Sequence, residues 1–252
     1  SISVLHSQVK QDHSYCNRDF DIAKELFFEN QYSVSYDYFQ RVLQTPQLEA
    51  DVKAEAEYYI AANSYYLKRS DALDVLETYL EKYPYTPMRS KVYYMVGRLY
   101  YDKKNYSETL KKYGQVRQKQ LDKSDVEDYL FSMGYSQLML KQYPAASKTF
   151  KSIKEYGHPY TKDAEYYYAY SEFCQKNYKP SLESFINIDE SSKYYEAAQF
   201  HSLQIYDQIG YRSEAVKLGK ELLSKYPKSK YKTEAYRILG ENSYHQQNWN
   251  DV

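Results

Sequence analysis

The chain has 252 residues, 42% of them hydrophobic and 27% charged, which is enough apolar material for a packed core. Its 34 Lys+Arg balance 34 Asp+Glu, which argues against a nucleic-acid partner, because such proteins neutralise phosphates with a basic surplus. A mean hydropathy of −0.86, with no run approaching the roughly 18 apolar residues a spanning helix needs, excludes a membrane span. The unusual count is 35 Tyr against 7 Gly, 7 Pro and 1 Trp. Tyrosine buries a ring while wetting a hydroxyl, so half-buried positions are expected throughout.

In chain order, residues 1–15 lack apolar periodicity and read as a leader or extended segment. Ser1 opens without Met or a signal pattern, as expected of a start from which any targeting signal has been removed. Residues 16–252 then repeat and read as one domain. A small residue marks the middle of each expected first helix: Ala23, Ala62, Gly97, Gly134, Ala169 and Gly240, with Leu203 the exception. Successive markers lie 34 to 39 residues apart. Three residues after the marker stand Leu26, Tyr65, Tyr100 and Tyr206. Nine after it stand Tyr32, Tyr106, Tyr143, Tyr178 and Trp249, expected to plug the turn between two helices. Twelve after it stand Ser35, Thr109, Ala146, Ser181, Ala215 and Val252. Sixteen after it stand Phe39, Tyr113, Phe150 and Phe185, with Gly219 departing, and nineteen after it Val42, Val116, Ile153, Ile188 and Leu222. In the second unit a shorter turn shifts these columns to Ala72, Leu76 and Tyr79.

Apolar positions four and seven apart share one helical face, so each unit predicts two antiparallel helices of about a dozen residues. Asn in Lys104-Asn105 and Lys176-Asn177 is expected near first-helix C-termini. Proline ends second helices at Tyr83-Pro84, Tyr226-Pro227 and Gly157-His158-Pro159. The seventh unit stops at Val252 with Trp249 and Val252 uncovered, so the protein is expected to be part of a longer one. A second copy stacked on the open end, giving a homodimer, is the other way to cover it.

The order aromatic, small residue, aromatic, Asn-Tyr turn is clearest in Tyr93-Tyr94-Met95-Val96-Gly97-Arg98-Leu99-Tyr100 followed by Asn105-Tyr106. This pattern resembles the tetratricopeptide repeat (TPR), with half-a-tetratricopeptide hairpins the main competitor. The resemblance implies an all-α fold: a right-handed superhelical solenoid of about seven hairpins, the last incomplete. The closures Tyr83-Pro84-Tyr85-Thr86 and Tyr226-Pro227-Lys228-Ser229 are similar to repeats of bacterial envelope proteins serving outer-membrane assembly or the Tol–Pal system. That finer likeness implies a periplasmic or cell-envelope setting, with the cytoplasm as the other placement.

In that family the first helices line the concave surface. Three residues before the marker stand Phe20, Tyr59, Tyr94, Phe131, Tyr166 and Phe200, then Arg237. Four after it stand Phe27, Tyr66, Tyr101, Leu138 and Phe173, then Asp207 and Tyr244. The column between them holds Lys24, Asn63, Arg98, Tyr135, Tyr170, Gln204 and Glu241. The expected partner face is therefore Tyr59, Tyr66, Tyr94, Arg98, Tyr101, Phe131, Tyr135, Tyr166, Tyr170 and Phe173, a groove for an extended peptide or apolar helix. The competing reading is that these rings only pack between adjacent first helices. Tyr135 and Tyr170 are the best candidates, since they occupy the most outward column. Lys24, Asn63 and Arg98 match the family's carboxylate clamp in residue type.

No phosphate loop, nucleophile elbow or HExxH signature occurs. His13 and Cys16 are at most a metal half-site. Cys16 and Cys174 lie four repeats apart and are not expected to bridge. Acidic pairs such as Glu55/Glu57 fall at helix starts, where the dipole favours them. The sequence thus predicts a non-catalytic scaffold that binds a protein or peptide, with no cofactor and no metal. A carbohydrate- or cell-wall-binding module, or the scaffold part of a multidomain protein whose activity lies beyond Val252, are the alternatives.

Overall fold

A computed structural model describes residues 17–156 and 160–245. The expected leader, the His13/Cys16 pair, the Gly157-His158-Pro159 break and the Trp249/Val252 end lie outside them. Among the described residues the chain is all-helical. The elements are α1 (17–28), α2 (Tyr32–Leu43), α3 (Ala50–Tyr66), α4 (Ala72–Lys82), α5 (Arg89–Asp102) and α6 (Tyr106–Tyr113), then a short 3₁₀ turn at Gln118–Gln120. There follow α7 (Lys123–Met139), α8 (Tyr143–Tyr156), α9 (Thr161–Cys174), α10 (Tyr178–Ile186), α11 (Tyr195–Ile209), α12 (Arg212–Lys225) and α13 (Lys232–His245). They fall into two compact units, Ser1–Asp122 and Lys123–Val252.

Within each unit the chain runs hairpin after hairpin, and each helix packs on the next. Successive first helices also meet: α3 with α5, α7 with α9, α9 with α11, and α11 with α13. Among the described residues, second helices do not meet one another to a comparable extent. The first helices are thus the inner layer of each unit, packed on several sides. This explains why α3 buries Ala56 and every residue from Tyr58 to Ser64, whereas α2 buries only Ser35, Phe39 and Val42.

One turn geometry recurs in every hairpin whose turn is described. Asn30, Lys104, Lys141, Lys176 and Gly210, each seven residues after its marker, take left-handed φ of 62°, 58°, 58°, 62° and 77°. Lys68 does the same at 53° in the shortened turn. The following N–H then donates to a carbonyl five residues back, as in Gln31 to Leu26 (2.8 Å), Asn105 to Tyr100 (2.9 Å) and Asn177 to Glu172 (2.9 Å). Those bonds satisfy the orphan carbonyls of the first helix. The asparagines expected near first-helix C-termini stand three residues past them, at the N-cap positions of the second helices. Asn105 Oδ1 accepts from the Glu108 N–H at 3.3 Å, and Asn177 Nδ2 donates to Glu172 Oε2 at 2.9 Å. The tyrosine column then supplies the first residue of α2, α6, α8 and α10.

The two helices of a hairpin are keyed by size. A Cβ built on Gly97 would fall well inside contact distance of the buried Tyr113 ring, and one on Gly134 would lie 3.0 Å from Phe150. In the sixth hairpin the sizes are exchanged. Leu203 stands at the small position and Gly219 at the aromatic one, and a Cβ on Gly219 would lie 3.7 Å from Leu203 Cδ1. The two sequence exceptions therefore compensate each other. The serine column adds a polar tie: Ser35 donates to the Ala23 carbonyl (2.9 Å) and Ser181 to that of Ala169 (2.8 Å).

The Tyr-Pro closures also share one conformation. Tyr83 (φ −123°, ψ 66°) and Tyr226 (φ −124°, ψ 67°) end α4 and α12. The Thr86 and Ser229 hydroxyls accept from N–H groups two residues on, at 3.2 and 3.0 Å, and so start α5 and α13. Ser192 does the same before α11 without a Tyr-Pro, accepting from the Tyr194 N–H at 3.2 Å.

Candidate functional site

In the first unit, two of the three-before rings turn inward, while Phe20 stays half-buried. Tyr59 and Tyr94 are each 5% exposed. Tyr59 lies flat on Phe39 (centroids 4.8 Å, planes 3° apart) with Phe27 edge-on at 4.9 Å, and Tyr94 stacks over Tyr113 at 6.4 Å. Burial pushes the Tyr59 phenol up to about 12 and raises that of Tyr58 further. These two side chains offer a partner little area. Tyr66 and Tyr101 stay half-buried. Tyr66 stacks on Tyr32 at 4.6 Å, and Tyr101 meets the edge of Tyr106 at 6.1 Å. Arg98 bonds Asp102 at 3.2 Å and lies 5.0 Å over the Tyr101 ring. The clamp trio does not assemble: Lys24 pairs with Glu55 at 2.8 Å, and fully buried Asn63 donates to Ser35 Oγ at 3.1 Å.

The second unit carries an arrangement absent from those columns. Phe131 is stacked by Tyr160 (4.7 Å, 19°), Tyr166 by Tyr194 (4.4 Å, 9°) and Phe200 by Tyr231 (4.3 Å, 11°). Each covering tyrosine lies nine residues before its own marker, at the start of the next first helix, where the first unit has Lys53 and Met88. Stacked pairs of this kind add about 0.5–1.5 kcal/mol beyond burial. They are inter-repeat packing, and they spread the rings of neighbouring repeats into one sheet.

Beside them lie Tyr135, Tyr170 and Phe173, all half-buried. Tyr135 meets the edge of Tyr167 at 5.3 Å, and Tyr167 meets Tyr194 at 5.5 Å, their hydroxyls 3.3 Å apart. His201 continues the strip, 5.1 Å from Tyr170, 5.2 Å from Phe173 and 5.4 Å from Phe185. Its Nδ1 is 2.9 Å from Gln204 Oε1, and burial holds the imidazole below its ordinary pKa. Burial, with Cys174 next, pushes Tyr170 up to about 12, so its phenol meets a partner neutral. Sequence reasoning missed Tyr167 and His201, which share the column two before the marker; aromatic residues occupy it only in these two repeats. Further along, Arg237 is held by Glu234 and Glu241 at 2.6 Å each, and Asp207 accepts from Asn242 Nδ2 at 2.7 Å. The ring strip ends in satisfied polar pairs.

Among the described residues no helix is long and apolar enough to cross a membrane. No protein-family model and no curated protein matches the chain. Solved structures do. PilF of Pseudomonas aeruginosa is 13% identical, with a TM-score of 0.50 over 92% of this chain and 99% of that one. The C-terminal part of a TPR repeat-containing protein from Cytophaga hutchinsonii is 13% identical, with a TM-score of 0.53 over 95% of this chain and 99% of that one. At such identity the likeness speaks for architecture alone. The marker column, the hairpins formed among the described residues and these neighbours agree: the fold of this chain is that of the tetratricopeptide-repeat proteins.

Proposed function

We propose that the chain is a non-catalytic scaffold that binds a polypeptide along the aromatic strip of its second unit, in a bacterial cell envelope. The observation that carries this is the strip of half-buried rings Tyr135, Tyr167, Tyr170, Phe173 and His201 on α7, α9 and α11. Rings held by their neighbours lose little rotamer entropy when a partner covers them, and aromatic side chains dominate binding energy at interfaces. Tyr66, Arg98 and Tyr101 form a smaller and more polar counterpart in the first unit. The envelope setting is supported only by the likeness of the twice-used Tyr-Pro-x-Ser/Thr closure to repeats of bacterial envelope proteins.

The test is selection of a random-peptide library on the purified chain, followed by titration of a selected peptide. Tyr135→Ala/Tyr170→Ala, with helicity and melting retained, is expected to weaken that peptide roughly tenfold or more. Unchanged affinity would remove the strip as the binding surface. A glycan array run in parallel, positive where the peptide selection fails, would favour sugar stacking on the same rings.

A further inference from the structure

The first unit has a second surface feature, unrelated to the strip. Helix α6 is only eight residues long and stops at Tyr113, so Val116, expected on the buried face of a longer helix, sits half-buried in an irregular loop. The early stop opens a cleft of about 770 Å³ between that loop and the Pro84–Pro87 turn. Both walls are braced. Ser90 Oγ donates to Gln120 Oε1 (2.6 Å) and accepts from the Arg117 N–H (3.1 Å), while the Tyr79 and Thr86 hydroxyls are 2.8 Å apart.

The lining includes Arg89 and Arg117 but no carboxylate. The first turn of α5 holds no acidic residue, and nearby Asp122 is engaged by Lys91 at 2.8 Å. Arg89 uses one N–H on the Pro84 carbonyl (2.7 Å) and lies 4.8 Å over Tyr93, which leaves most of its five donors available. The exposed Arg117 side chain makes no hydrogen bond or ion pair among the described residues. In a chain of zero net charge this is a local cationic surplus. At its rim Tyr85 is 97% exposed, flanked by Pro84 and close to Pro87, so a large ring is presented on a stiff turn. The sister turn of the second unit has Lys228 and Lys230 in place of Tyr85 and Pro87.

We propose that this cleft binds an acidic, extended polypeptide segment, its carboxylates on Arg89 and Arg117 and a neighbouring side chain against Tyr85. Charge complementarity selects the sign, since an unopposed guanidinium pair suits carboxylates bidentately. The Pro, Val and Tyr walls suit a chain with apolar side chains better than a free small anion. A pair of surface arginines alone would mean little. The braced cleft, the missing counter-charges and the rigid exposed ring are what set this place apart.

The experiment selects a random-peptide library on the full chain carrying Tyr135→Ala/Tyr170→Ala, so the outcome does not depend on the strip. The enriched peptide, fluorescein-labelled, is then titrated by anisotropy. Enrichment in Asp and Glu is expected, with affinity falling as salt screens the pair. Arg117→Glu is expected to weaken binding about tenfold, as for an exposed interfacial charge, and Tyr85→Ala about threefold; Lys228→Glu in the sister turn should leave it unchanged. Both Arg117 and Tyr85 are exposed, so folding is retained and melting verifies it. Neutral or basic enriched sequences, unaltered binding by Arg117→Glu, or displacement of the peptide by inorganic phosphate as effective as by unlabelled peptide would each overturn the assignment.

Discussion

The two units apply one hairpin to rings in different ways. In the first, Tyr59 and Tyr94 sink against the second helices, and the outward column carries Lys24, Asn63 and Arg98, with Asn63 buried. In the second, Tyr160, Tyr194 and Tyr231 cover Phe131, Tyr166 and Phe200 from the next repeat, and the outward column begins with Tyr135 and Tyr170. The difference arises at the helix starts. A tyrosine nine residues before the marker gives the preceding ring a stacking partner from the following repeat, whereas Lys53 and Met88 do not. The following repeat thus changes what an aromatic column packs on rather than whether it is buried: Phe200 under Tyr231 is as buried as Tyr59 and Tyr94.

Substitutions can break this contrast. The largest effect is expected from Tyr59→Ala, which removes a buried ring stacked on Phe39 and should cost about 3–5 kcal/mol in chemical denaturation. Tyr135→Ala, at a half-buried position, should cost no more than about 1–2 kcal/mol. Equal losses would mean that the second-unit strip is core after all. Next comes the size key. Gly97→Ala forces the packed Tyr113 ring to move and should destabilise by about 1–3 kcal/mol. Gly219→Ala finds ordinary contact distances of 3.6–3.7 Å and gains helix propensity, so it should stabilise by roughly 0.5–1 kcal/mol. Destabilisation by both would refute the exchange of sizes between Leu203 and Gly219.

Alkaline pH sharpens the comparison more gently. Burial raises Tyr58 and Tyr59 in the first unit and Tyr166, Tyr167 and Tyr170 in the second. An unfolded tyrosine ionises near about 10, while folded Tyr59 and Tyr170 hold their protons to about 12. Above pH 10 the unfolded chain therefore binds fewer protons than the folded one. The stability from these phenols is complete below that pH and is lost as pH climbs towards 12. Melting points should fall over that interval, and Tyr59→Phe or Tyr170→Phe should each flatten the fall. A flat profile to pH 12 would contradict the burial of both.

The repeat was legible because one helical pair imposes its spacing on every copy: small residues, turn tyrosines and second-helix aromatics recur in register. Column by column, though, Leu203 and Gly219 are two faults, and only their contact shows them to be one exchanged pair. Tyr160, Tyr194 and Tyr231 precede their helices, outside any amphipathic stripe, so periodicity could not flag them, although their common offset from the markers could. The inward turn of Tyr59 and Tyr94 depends on second-helix rings far along the chain. The cleft was invisible because it follows from where α6 stops, and Val116 fits the column of a longer helix.

The most direct test of the account is fluorine NMR of the Arg117→Glu chain labelled with 3-fluorotyrosine, with a peptide selected on that variant titrated in and resonances assigned by single Tyr→Phe variants. Tyr135, Tyr167 and Tyr170 are predicted to shift with peptide while Tyr59 and Tyr94 stay in place. Shifts confined to the first unit, or none among the second-unit rings under saturating peptide, would contradict it.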